Sequence, residues 1–121
     1  MRFEVLPEKF SVLKLAKGAP LTVPGTMFAA RTDNESSLVC ETRHAPADCV
    51  ARENGWRAFR VRGPLEFSLI GVLAEISGAL AAEGISVFCV STFDTDYVLV
   101  KEEKLEAALA ALSKRGHAFA S

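Results

Sequence analysis

The sequence predicts an α+β protein: a ferredoxin-like unit of order β-α-β-β-α-β over 56–121, fused to a degenerate, helix-poor unit of related pattern over 1–55. The sheets are expected to be antiparallel, with helices on one face. Three observations carry this. The C-terminal half alternates runs of β-branched and aromatic residues with two stretches of helical apolar spacing. The N-terminal half has strand-like runs broken by Gly and Pro, and too few residues between Ala16 and Thr26 for a long helix and its turns. Setting Phe28 on Phe88 then aligns two hairpin-like segments without a gap, so that Thr32 falls on Thr92, Leu38 on Val98 and Val39 on Leu99.

Taken along the chain, Phe10 to Ala16 (FSVLKLA) is a strand, and Gly18-Ala-Pro20 with Pro24-Gly25 is loop. Met27 to Arg31 and Ser37 to Glu41 are two strands joined by Thr32-Asp-Asn-Glu35. Ala45 to Glu53 is expected to be a short helix, and Asn54-Gly55 the seam between the units. Trp56 to Val61 alternates apolar and polar residues and stops at Gly63-Pro64, a strand and its turn. A helix follows, with Ser68 as candidate cap, a face of Ile70, Leu73, Ser77 and Leu80, and Gly84 as its stop. Ile85 to Thr92 and Tyr97 to Val100 form a hairpin around a polar turn. Lys101 to Lys114 returns to helical spacing through Leu105, Ala108, Leu109 and Leu112; Gly116 ends it, and 117–120 adds a last short strand.

Half of the 121 residues are apolar, enough to bury a core without disulfide or metal staples. Fourteen Lys and Arg against 15 Asp and Glu, with no basic patch interleaved with aromatics, argue against a nucleic-acid partner. No signal-like or membrane-spanning run is seen, so a cytoplasmic location and no membrane partner are expected. Cys40, Cys49 and Cys89 are odd in number and lie in or beside apolar segments, as reduced, partly buried thiols do. Cys40, His44, Asp48 and Cys49 match no ordinary zinc spacing, His117 has no evident acidic partner, and no glycine-rich phosphate loop follows a strand. Neither catalytic residues, nor a cofactor, nor a metal is expected.

The segments Gly71-Val-Leu73, Leu80-Ala-Ala-Glu-Gly84-Ile-Ser-Val87 and Ser91-Thr-Phe-Asp-Thr-Asp-Tyr-Val-Leu-Val100 carry a resemblance. Together they resemble the tandem ACT proteins similar to the regulatory domain of aspartate kinase, a family that includes the cytosolic arginine sensors of animals. The resemblance runs from about Phe10 onward. It implies two ACT units side by side, a small effector such as an amino acid bound at the interface between units, and a homodimer. It also implies ligand contacts from Thr92, Phe93 and Asp96 on the hairpin and from Leu69, Ile70 and Gly71 at the helix start. Where the arginine sensors have an acidic side chain two residues before the helix glycine, this chain has Leu69, which removes a partner for a guanidinium.

The residues make a physical case of their own. A helix start presents unpaired N–H groups to a carboxylate, so Ser68, Leu69, Ile70 and Gly71 are candidate donors, and Asp94 or Asp96 is a candidate acceptor for an ammonium. Leu69 and Phe93 would contact an apolar portion, favouring a neutral or apolar ligand over a basic one. Structural roles fit the same residues: Ser68 as a helix cap, Asp94 and Asp96 as turn formers, Phe93 as interface packing, Gly71 as close helix packing. The competing function is an assembly module of this fold that binds no small ligand.

Overall fold

The computed structural model describes residues 1–62 and 71–120. The expected Gly63-Pro64 turn and the candidates Ser68, Leu69 and Ile70 lie outside the described residues. The chain forms two compact units, a helical one made of Met1–Pro7 with Arg57–Ser121, and a helix-poor one made of Glu8–Trp56. Two long strands, β1 (Arg2–Leu15) and β4 (Ala51–Val61), each contribute one stretch to either unit.

In the helical unit the stretches of β1 and β4 are joined by β5 (Phe88–Ser91), β6 (Asp96–Lys101), β7 (Ala118–Ala120), α1 (Val72–Ala82) and α2 (Leu105–Ser113). The strand order is β7-β1-β4-β6-β5. The expectation of wholly antiparallel pairing is corrected at one edge, where β7 lies parallel to β1 with Phe3 opposite Phe119, a pairing open to strands far apart in the chain and not joined by a hairpin. β5 is antiparallel to β6, with Phe88 opposite Leu99 and Ser91 opposite Asp96. Alternation along the strands sends Phe3, Phe59, Val61, Val98 and Val100 into one cluster with Ile76 and Leu80 of α1 and Ala108 and Leu112 of α2. The Phe3 ring meets Phe59 edge-on at 5.5 Å and stacks on Phe119 at 5.1 Å.

The buried stripe of α1 is Val72, Ile76, Ala79 and Leu80, so the helix is rotated from the expected face, on which, of the described Leu73, Ser77 and Leu80, only Leu80 is buried. The apolar composition of this segment permits several stripes, and packing selects one. Gly84 stops the helix as expected, the N–H of Ile85 reaching back to the carbonyl of Leu80 at 3.0 Å. The predicted helix 101–114 divides into a 3₁₀ turn at Glu102–Lys104 and α2.

In the helix-poor unit β2 (Met27–Arg31) and β3 (Ser36–Glu41) join the other stretches of β1 and β4 in the order β2-β3-β1-β4. Leu13, Leu15, Leu38 and Cys40 form its core, and Ala19, Leu21 and Val23 pack on them from the segment between β1 and β2. That segment stands in the chain between β1 and β2 as α1 stands between β4 and β5. It is held by Glu41, whose buried carboxylate accepts the N–H of Thr26 at 2.8 Å and pairs with Arg43 at 2.9 Å. Gly25 is required here: its φ is +79°, and an added Cβ would stand 2.5 Å from the carboxylate.

The expected helix at Ala45–Glu53 is corrected. A 3₁₀ turn occupies Thr42–His44, Ala45 is extended at φ −68° and ψ 131°, and β4 begins at Ala51. Ala45 precedes Pro46, which disfavours helical backbone, and the N–H of Val50 is already held by the carbonyl of Lys14 at 2.8 Å. The first strand is also longer than expected, reaching back past Pro7 to Arg2.

The two hairpins share one register. Phe28 opposite Val39 and Arg31 opposite Ser36 are matched by Phe88 opposite Leu99 and Ser91 opposite Asp96. Their turns close alike as well: the N–H of Thr32 bonds the carbonyl of Glu35 at 2.9 Å, and that of Thr92 the carbonyl of Thr95 at 2.8 Å.

Candidate functional site

Of the candidates, the described residues are Gly71, Thr92, Phe93, Asp94 and Asp96, and the last four belong to or flank the β5–β6 turn. β4 finishes beside the β5–β6 turn, where the Thr95 hydroxyl donates to the carbonyl of Val61 at 2.6 Å. From there α1 must return the chain to the far end of the sheet, where β5 starts. Gly71, which begins α1 with φ 84°, is therefore at the turn end.

On the face that α1 and α2 cover, Val98 and Val100 are core residues, and alternation puts Asp96 on the same side. Its negative charge and burial together hold the Cys89 thiol above its ordinary pKa, burial being the larger cause. Thr92 has a structural task, because its hydroxyl donates to the carbonyl of Thr95 at 3.0 Å and accepts from the N–H of Thr95 at 3.4 Å. Phe93, at the turn, is 78% exposed.

Asp94 takes the other face. It lines an open concavity of about 470 Å³ with Glu4, Arg60, Arg62, Thr95 and Tyr97. Arg60 forms the floor: its Nε donates to Glu4 Oε1 at 2.8 Å, its Nη2 approaches the same oxygen at 2.7 Å, and its Nη1 donates to the Tyr97 hydroxyl at 3.0 Å. The bond to Tyr97 and then that to Glu4 raise the guanidinium pKa above its ordinary value. Arg62 and Asp94 are exposed on the walls.

By chain topology Gly71 and Asp96 fall at one end of the unit, and strand alternation with the lining of the concavity separates Asp96 from Asp94. Sequence reasoning missed Glu4, Arg60 and Arg62. Their signal was present in the alternation of Phe59, Arg60, Val61 and Arg62, which puts two guanidinium groups on the face away from the helices. Among the described residues no group of His, Cys, Asp and Glu is placed to hold a metal ion, and no helix is long and apolar enough to cross a membrane.

Residues 51–114 match the family described as ACT domain. The mouse cytosolic arginine sensor for mTORC1 subunit 1 is 36% identical over 114 residues, covering 88% of this chain and 34% of that protein. The chain spans 18% to 34% of the length of these arginine sensors. A crystal structure from Agobacterium tumefaciens, 29% identical, superposes with a TM-score of 0.88 over 98% of this chain and 91% of that one. The regulatory subunit of aspartate kinase from Thermus thermophilus shares the fold at 11% identity, with a TM-score of 0.63 over 93% of this chain and 95% of that one.

Proposed function

We propose that this chain, which belongs to the ACT-domain family, is a regulatory module that binds a free amino acid at the turn end of its helical unit and works as a homodimer rather than as a catalyst. ACT domains bind small regulatory ligands, and the likeness to a protein named as an arginine sensor supports an amino-acid effector. The observation that carries the reading is Asp96: a carboxylate on the helix-covered face, at the end where α1 begins. In this site Asp96 accepts the ligand ammonium, and the unpaired backbone N–H groups of the first turn of α1, which Gly71 opens, receive its carboxylate. Phe93 contacts the ligand side chain, and Leu69 favours a neutral one over arginine. Thr92 and Phe93 shape the site through the turn they build.

Thermal-shift measurements against the standard amino acids test this, since a ligand of the native state stabilises it by RT ln(1 + [L]/Kd). At least one amino acid raises Tm at millimolar concentration, and Asp96→Asn removes that rise while leaving the unliganded Tm nearly unchanged. A flat response to all of them favours the second reading, an assembly module without a small ligand, for which the exposure of Phe93 speaks. In that case Phe93→Ser lowers the oligomer mass measured by light scattering.

A further inference from the structure

The polar concavity on the helix-free face has no part in the effector site just described, although both adjoin the same turn. Glu4, Arg60 and Tyr97 project from β1, β4 and β6, alternating with residues that enter the core. Arg60 is held by both neighbours, so its guanidinium is restrained in orientation. An arginine carries five N–H donors, and those bonds leave N–H groups of Nη1 and Nη2 available. Arg62 brings a second guanidinium to the wall and Asp94 a carboxylate to the rim, and neither side chain has an ion pair with another described residue. Thr95, tied to Val61, keeps the rim attached to the strand that bears the arginines.

With Glu4 balancing Arg60, the described lining residues leave one positive and one negative group, Arg62 and Asp94, facing a common space. That pattern repels neither end of a small zwitterion and is mismatched to a simple anion or cation. We propose that this concavity is a second ligand site, taking a free α-amino acid with its carboxylate on Arg62 and the open edge of Arg60 and its ammonium on Asp94. It does not depend on the effector site, because the two use different residues on opposite faces of the sheet.

Amide NMR spectra of the full chain, titrated with each of the twenty standard free amino acids at millimolar concentration, test it. At least one shifts the resonances of Arg62, Asp94, Thr95 and Tyr97. Its affinity there falls roughly ten- to hundredfold in Arg62→Ala and in Asp94→Asn, each of which loses one charge-assisted contact. Both residues are exposed, so both variants fold, and Arg62→Lys recovers part of the affinity. The amide of the same amino acid, which lacks the carboxylate, binds no better to the native chain than to Arg62→Ala. Asp96→Asn leaves these shifts in place while removing those at Gly71, which separates the two sites. Absence of shifts at the concavity with all twenty, or binding that ignores both Arg62→Ala and Asp94→Asn, overturns the proposal, whatever Asp96→Asn does at the other face.

Discussion

The helical and the helix-poor unit build the same hairpin and cover it differently. In the first, α1 and α2 lie on the strands and bury Val98 and Val100 beneath Ile76, Leu80 and Leu112. In the second, an irregular segment brings Ala19, Leu21 and Val23 onto Leu38 and Cys40 and is fixed by the carboxylate of Glu41. A helix as cover carries its own backbone hydrogen bonds and presents a free N-terminus at the end of the sheet. A loop as cover must find partners for its backbone, and here Glu41 provides one for Thr26. The candidate ligand chemistry accordingly accompanies the helix, and the buried carboxylate accompanies the loop. We propose that the shared register records a duplication in which the first copy lost its long helix.

The largest effect that would break this contrast concerns the two covers. Ile76→Ala, at a fully buried α1 position, is expected to cost about 2–5 kcal/mol in urea unfolding. Leu21→Ala, in the half-buried loop, is expected to cost only about 1 kcal/mol. Equal losses would show that the loop is as integral to its unit as the helix.

Next in size is the clasp. Glu41→Gln weakens the bonds to Thr26 and Arg43 and is expected to cost about 1–3 kcal/mol, with Gly25→Ala destabilising the same loop through strain and collision. The bond from Thr26, followed by the interactions with Arg43, holds the Glu41 carboxyl below its usual range against the opposing effect of burial. A depressed folded-state pKa contributes stability above the unfolded value of about 4.3, and that contribution is lost as pH falls through the folded value. Urea midpoints followed downward from about pH 5 should therefore fall less steeply in Glu41→Gln than in the native chain.

The turns sharpen the comparison instead of breaking it. Thr92→Val and Thr32→Val each remove a hydroxyl that ties its own turn, and each is expected to cost about 0.5–1.5 kcal/mol. Similar losses would support equivalent hairpins; a loss confined to Thr92 would weaken the case for duplication. Smallest is Glu4→Gln, which removes a half-exposed ion pair with Arg60 and should change stability by about 0.2–1 kcal/mol.

The strands of both hairpins, the stops at Gly84 and Gly116 and the last strand were legible because each rests on local chemistry: β-branched and aromatic alternation, or a glycine just past a helix. The Ala45–Glu53 helix was misread because apolar spacing in so short a stretch fits either period, and the pairing of Val50 with Lys14 decides for extension. Of the candidate site, Asp96 and Gly71 were legible from their positions on the hairpin and at the helix start. Glu4 was not, because its partner Arg60 is remote in sequence and the two meet only when β1 pairs with β4.

By itself the sequence determined the family, the two hairpins and the helix-poor character of the first half, since turn residues, strand propensity and the room available for a helix all act over a few neighbouring positions. Tertiary structure alone decided that the first seven residues belong with the C-terminal half, which stripe of α1 is buried, and that Asp94 and Asp96 serve opposite faces. Those outcomes depend on strand pairing and packing between segments far apart in the chain, and local preference has no energy with which to choose among them.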